Sequence, residues 1–535
     1  MVRLARALRR FFALALPLAV LLGAAAGAHA QVWEVGNLRL LQDGVAAGAA
    51  FGTAITIGDL SGDGRLDVAV GAPEWSLQQG QVTVFRGTAP GRALETWWSL
   101  NPGGTGEFGA ALAAGDFDGD GFDELAVGSP NATVTYNGAD VAAAGAVTVW
   151  KYIPTCTCWD LDETISQADT TSFASPEAGD AFGSVLVAGD FNGDGRDDLA
   201  VGTPAEAIGA TSAAGVVQVF YGSDSMLAKS GSLGIRAGTG GVSGTAGSGD
   251  LMGIALAVGD FDGDAFPDLA IGAPGRAVGG ISAAGQVHIL RGTAGGLTTV
   301  GQQLVSESSL GATVAAQDRF GAALAAGNFD EAGLSCVIGD CYVDLAVGVP
   351  GKTVQSVSAA GEVLVLDGGS GGIQATGWTA LTQSGNGGAL ETNDRFGSVL
   401  AAGFLHRGPG GFLGGTVSDL AVGVPYEDFG SGLTNNGYVH LFFGALGGIN
   451  TDQPVQAFGE SAGFRIAPAG DDDIWSSALA IADIDADGQG DLVIAAPGKR
   501  ISGLADAGAV AVLYGALFAD GFDSSSVSHW AQHVP

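Results

Sequence analysis

One phrase, an acid followed by a short apolar run, glycine, a small residue and proline, occurs seven times along the chain. It first reads Asp67-Val68-Ala69-Val70-Gly71-Ala72-Pro73, and the second copy runs from Glu124 to Pro130. Further copies end at Pro204, Pro274, Pro350 and Pro425, and the last is Asp491-Leu492-Val493-Ile494-Ala495-Ala496-Pro497. Some sixteen residues upstream lies Phe-Gly or a relaxed form of it: Phe51-Gly52, Phe108-Gly109, Phe182-Gly183, Met252-Gly253, Phe320-Gly321, Phe396-Gly397 and Trp475-Ser476. These starts are 57, 74, 70, 68, 76 and 79 residues apart. Such a period signals one supersecondary unit that buries its apolar faces only by stacking on its neighbours.

Each unit reads as about four strands. After the proline comes a glycine and an alternating apolar run, as in Gly80–Phe85 and Gly145–Trp150, and then a more variable extended stretch such as Leu94–Leu100. Short runs with β-branched residues and Gly, Pro and Asp breaks argue for strands. Glycine and proline together make about a fifth of the 535 residues, with 92 and 17 copies, so long helices fit poorly. With 47% hydrophobic residues against 14% charged, a sizeable core is affordable. The fold expected is all-β, a seven-bladed β-propeller of four-stranded blades. A solenoid usually has shorter units, and paired sandwiches would not repeat one phrase seven times. Runs such as Gly109–Gly115 are small enough to crowd around a central axis. Val32–Leu41 reads as one strand, while the seventh unit lacks an outer strand after Gly508–Tyr514. The N-terminal strand is therefore expected to complete the last blade and close the ring.

The chemistry lies in the loop between the first two strands of each unit. In the second copy, Asp116, Asp118, Asp120 and Glu124 stand at positions 1, 3, 5 and 9, glycine stands at position 6, and Phe122 at position 7 can offer its carbonyl. The same spacing gives Asp59, Ser61, Asp63, Arg65 and Asp67, then Asp190, Asn192, Asp194, Arg196 and Asp198. It returns as Asp260, Asp262, Asp264, Phe266 and Asp268, and finally as Asp483, Asp485, Asp487, Gln489 and Asp491. Clustered hard oxygens on a tight turn suit Ca²⁺, whereas Mg²⁺ demands a stricter octahedron. An EF-hand is excluded, because position 12 is Val70, Val127, Val201, Ile271 or Ile494 inside a strand pattern rather than a bidentate Glu. About five Ca²⁺ sites are expected. The ligand positions of these loops carry 18 carboxylates, so the apo loops repel themselves. The fifth copy keeps Asn328, Asp330, Asp340 and Asp344 around an insertion, and the sixth retains only Asp419.

The Phe-Gly start, the acidic loop and the Gly-Ala-Pro ending resemble the FG-GAP repeat of the integrin α-chain propeller and its bacterial relatives. The resemblance covers roughly residues 31–515. It implies a seven-bladed propeller with calcium in the hairpin loops of one face. The integrin ligand-binding role does not transfer, since it depends on a partner β-chain and loop residues without a counterpart here.

Residues 1–30 read as a secretory signal peptide: four arginines, no acid, the apolar run Phe11–Gly27, then Ala28-His29-Ala30. No transmembrane segment is expected after cleavage, and residues 516–535 read as a tail outside the repeats. Without the signal, 17 basic side chains face 56 acidic ones, which disfavours nucleic acid and anionic lipid as partners. Of the four cysteines, a Cys336–Cys341 bridge is favoured, and a Cys156–Cys158 bridge is expected to be strained. Gly368–Gly372 fits a nucleophile motif only formally, and the histidines form no nucleophile–base pair. The function expected is a secreted, non-enzymatic binding or adhesion module for an extracellular protein or glycan. The alternatives are a structural spacer of a surface or matrix assembly and a propeller-based polysaccharide lyase or hydrolase.

Overall fold

The computed structural model describes residues 37–515 apart from 43, 89–93, 105, 170–174, 331–341, 385–388, 406–416, 429–433, 446, 450–455 and 460–469. Seven antiparallel four-stranded sheets follow one another in chain order. Blade 1 consists of Ile55–Gly58, Asp67–Ala72, Gln81–Arg86 and Glu95–Leu100, and blades 2 to 6 repeat that order. The first strand of each blade neighbours the first strand of the next, and that of blade 7 neighbours that of blade 1, so the propeller ring is closed. The second strand, which carries the repeated phrase, is buried along its whole length in every blade.

Blade 7 is built from both ends of the chain. Leu479–Ala482, Asp491–Ala496 and Ala509–Leu513 supply three strands, and Asn37–Leu40 pairs with the third, Asn37 opposite Leu513 and Leu40 opposite Val510. Within the expected Val32–Leu41 the described strand is Asn37–Leu40; residues 32–36, the expected signal segment and the C-terminal tail fall outside the described residues.

The two halves of the repeated signature meet between blades. Gly71, Gly128, Gly202, Gly272 and Gly348 each face the carbonyl of the Phe-Gly glycine in the following blade, where a Cβ would sit 2.0 to 2.2 Å from that oxygen. Only hydrogen fits there, which is why the phrase carries glycine. The preceding aromatic anchors the same seam. The Phe182, Phe320 and Phe396 N–H groups each donate at 2.9 Å to a carbonyl at the start of the third strand in the preceding blade. Their rings are wholly buried, as are Phe51 and Phe108, and Met252 and Trp475 fill the same place in the relaxed copies. The apolar core is accordingly a set of inter-blade clusters. One joins Ala126, Val147 and Val149 of blade 2 to Phe182, Leu199 and Val201 of blade 3.

Of the two cysteine pairings weighed above, one lies within the described residues. Cys156 and Cys158 form a disulfide, with Cα atoms 5.2 Å apart. They flank the turn between Ala146–Ile153 and Cys158–Ile165, where Thr157 adopts φ 49°, and that fold-back brings the Cα atoms within normal disulfide reach. Cys336 and Cys341 lie outside the described residues. His288 and His440 are core residues of third strands, and burial lowers His288 to about 4.

Candidate metal centres

Each acidic loop is a hairpin between the first and second strands of its blade, anchored by a buried apolar residue at position 2: Leu60, Phe117, Phe191, Phe261 or Ile484. The aspartate at position 1 folds the loop around itself. Asp59 accepts the Asp63 and Gly64 N–H groups at 3.0 and 2.7 Å, and Asp116 accepts Asp120 and Gly121 at 3.1 and 2.9 Å. Asp190, Asp260 and Asp483 repeat the pattern. The position 5 carboxylates of Asp63, Asp120, Asp194, Asp264 and Asp487 each accept the N–H of position 7. These Asx-type bonds curl the loop so that side-chain oxygens converge.

Position 9 behaves differently from a simple ligand. Asp67, Asp198, Asp268 and Asp491 are buried, and one oxygen of each accepts an N–H from the loop. The other accepts the N–H of Gly87, Gly222, Gly292 or Gly515 where the third strand ends, at 2.7 to 2.9 Å. Asp344 and Asp419 make the same pair of bonds. The acid is a brace as well as a donor of oxygen, which explains why Asp419 persists where the rest of the sixth loop has gone. Burial pushes Asp67, Asp198, Asp268 and Asp491 up to about 7 against the opposing pull of those N–H groups.

Three loops gather three carboxylates whose oxygens all lie within 4.8 Å of one another: Asp116, Asp118 and Glu124; Asp260, Asp262 and Asp268; Asp483, Asp485 and Asp491. A fourth group joins Asp330 and Asp344 to Asp367. Asp367 follows the third strand of blade 5, Glu362–Leu366, and sequence spacing could not flag it because it lies outside the loop. Asp59, Asp63 and Asp67, like Asp190, Asp194 and Asp198, share the loop shape, with Ser61 and Asn192 at position 3. Oxygen-only donor sets of this kind fit a hard divalent cation.

Neighbouring loops also interlock. The N–H groups of Asp123 and Asp197, at position 8, donate to the Asp59 and Asp116 carbonyls of the preceding blade. Their carboxylates accept the Asp59 and Asp116 N–H groups at 2.7 and 3.1 Å. Position 7 side chains extend the seam, Phe122 over Gly62 and Phe266 over Gly193. Arg196 covers Gly119 in the same way. Basic side chains reach three of the acidic loops from the third strand: Arg86 to Asp63 at 2.8 Å, Arg291 to Asp262 at 2.7 Å, and Lys151 to Asp120 and Glu124 at 2.8 and 3.1 Å as well as to Asp118.

The fold and its loops define a class: a seven-bladed propeller with acid-lined hairpins in successive blades. The FG-GAP repeat profile matches residues 108–150, 182–220, 252–290 and 475–513, and the FG-GAP-like repeat profile matches 59–127. The chain carries FG-GAP repeats in an integrin α-like propeller. It is similar to the phosphatidylinositol-glycan-specific phospholipase D of Mus musculus, 32% identical over 187 residues, which cover 32% of this chain and 20% of that protein. It is also similar to integrin alpha-PS2 of Drosophila melanogaster, 32% identical over 234 residues, 42% of this chain and 15% of that one. With integrin alpha-5 of Xenopus laevis it shares 27% identity over 231 residues, 42% of this chain and 20% of that one. The chain spans about a fifth or less of the length of these relatives. Among the described residues no helix is long and apolar enough to cross a membrane.

Proposed function

We propose that the protein is a secreted propeller, held rigid by calcium in its blade loops, that acts as a non-enzymatic binding or adhesion module for an extracellular protein or glycan. The observation that carries the calcium reading is the convergence of loop carboxylates within 4.8 Å in blades 4 and 7. Asp260, Asp262 and Asp268 would hold one ion and Asp483, Asp485 and Asp491 another, with Asp264 and Asp487 completing the donor sets. The loops led by Asp59 and Asp190 would hold ions with fewer carboxylates. Bound Ca²⁺ supplies positive charge where these loops concentrate negative charge. The chain's own main-chain N–H groups keep the carboxylates oriented toward it.

Integrin α-chains among the relatives favour the binding reading, and the phospholipase D relatives keep a second, enzymatic reading in view. The binding reading is preferred because main-chain N–H groups fold the loops so that their carboxylates converge as a cation-holding set.

Chelation is expected to lower the melting temperature, and millimolar CaCl₂ to restore it, because affinities of extracellular calcium modules fall around ~10⁻⁴–10⁻³ M. A scan by differential calorimetry with EGTA and then excess calcium checks this; indifference to both removes the metal from the account. A protein and glycan array probed with and without calcium tests the binding role. Turnover of any polysaccharide or lipid substrate by the purified chain would overturn the non-enzymatic reading.

A further inference from the structure

Seven residues stand six places after the glycine that opens each third strand: Arg86, Lys151, Tyr221, Arg291, Asp367, Phe443 and Tyr514. This position borders the acidic loop of its own blade, and its chemistry changes from blade to blade. In blade 2 the Lys151 ammonium contacts Asp118, Asp120 and Glu124 together, three of the four carboxylates at the ligand positions of that loop. Glu124 is fully buried, and its Oε2 accepts the Phe117 N–H at 3.0 Å while its Oε1 faces Lys151. In blades 1, 3, 4 and 7 the equivalent second oxygen is taken by a glycine N–H at the end of the third strand. At that place blade 2 has Tyr152, inside a third strand that runs to Ile153. The ammonium therefore supplies a positive charge where Glu124 Oε1 has no hydrogen-bond donor.

Arg291 fills the role only partly. Its guanidinium reaches Asp262 at 2.7 Å and also donates to the Gly371 carbonyl of blade 5 at 2.8 Å. In blade 7 the position is Tyr514, which carries no charge, beside a loop with carboxylates at all four ligand positions.

We propose that the third-strand side chain sets which loops take a cation, and that Lys151 is a built-in counter-ion that keeps blade 2 closed to calcium while the blade 7 loop, beside Tyr514, binds it best. This rests on the calcium reading above. An ion entering the blade 2 loop must displace an ammonium that already holds three of its carboxylates. That competition costs blade 2 at least tenfold in affinity relative to blade 7, since charge-assisted hydrogen bonds are individually worth more than the 1.4 kcal/mol that a factor of ten represents.

Calcium bound by the full-length mature chain, measured by equilibrium dialysis with elemental analysis, tests the proposal on Lys151→Met, Asp118→Asn and Asp485→Asn. Lys151→Met is expected to gain one ion per chain at sub-millimolar calcium, or to tighten one site at least tenfold. Unchanged stoichiometry and affinity would overturn the proposal. Asp118→Asn in the otherwise native chain is expected to leave stoichiometry untouched, and this arm stands even if Lys151→Met fails to fold. Loss of an ion there would overturn the proposal. Asp485→Asn is expected to lose one ion. If the native chain and all three variants bind none, the calcium reading fails and the proposal with it; if Asp485→Asn loses its ion while Lys151→Met gains none, the proposal alone fails.

Discussion

Removal of residues 31–43, in a chain that otherwise begins at Gln31, is expected to cost at least ~5 kcal/mol and to broaden or abolish the cooperative unfolding transition. Asn37–Leu40 is the outer strand of blade 7, and without it the third strand, Ala509–Leu513, presents an open edge. Leu40 is buried in the cluster that also holds Phe51, Val68 and Val493, so its loss opens the seam between the last blade and the first. A buried leucine alone is worth roughly 2–5 kcal/mol, and the lost ladder bonds add to it. Gln42, also buried, donates to Gln81 of blade 1 and carries the closure two residues beyond the strand. Chemical denaturation followed by fluorescence measures the effect; an unchanged midpoint and slope would mean that the ring does not depend on this strand. An exposed edge also predicts concentration-dependent association of the truncated protein.

The second large effect is a fall in stability as pH rises from about 5 to above 8. It originates in buried acids two residues before the Phe-Gly position. In blades 4, 5 and 7, Asp250, Asp318 and Asp473 face Arg276, Lys352 and Lys499 at 2.9, 3.2 and 2.8 Å. In blades 3 and 6 the equivalent partner is a second acid, so Asp180 meets Glu206 and Asp394 meets Glu427. Gln167 and Gln383 donate to the two glutamates, and the charged groups facing the pairs are Glu177 for the first and Glu391 and Asp428 for the second. Burial, then the neighbouring carboxylates, pushes Asp180 and Asp394 up to about 6, Glu206 to about 7 and Glu427 to about 8.

The sign follows from the proton count. The ordinary unfolded values are near 4, so between about 4 and 8 the folded state binds more protons than the unfolded chain. Stability from these groups is full below about 4 and is lost as pH rises through 6 to 8. Glu427→Gln keeps the shape and offers Asp394 an amide donor. It is expected to flatten the slope and to raise stability at pH 8 by on the order of 2 kcal/mol, with little change at pH 5. Melting curves across that range in 5 mM CaCl₂ (roughly the upper end of the affinities expected of such modules) hold the metal loops constant. A variant that melts like the native chain at both ends of the range would show that the pair carries no shared proton.

Much of this architecture was written into the repeat. Seven phrases at nearly constant spacing gave the blade number, and the missing outer strand after Tyr514 pointed to closure by the N-terminus. The loop spacing also located the acids that converge. What could not be seen was any contact whose partner lies in another part of the period. The position 9 acid looked like a metal ligand alone because the glycine N–H groups it braces lie 20 to 25 residues further on, as with Asp67 to Gly87 and Asp419 to Gly444. Lys151 and Asp367 escaped for the same reason. Position 7, read as a carbonyl donor, proves to place Phe122, Arg196 and Phe266 on the preceding loop's glycine. The Cys156–Cys158 bridge depends on a turn conformation at Thr157 that spacing does not encode.

Anomalous-difference density from crystals grown in millimolar CaCl₂, recorded at long wavelength, tests the central claim most directly. Peaks are expected among Asp483, Asp485, Asp487 and Asp491 and among the carboxylates led by Asp260, inside a ring of seven sheets. Featureless density at both loops, with their carboxylates ordered, would contradict it.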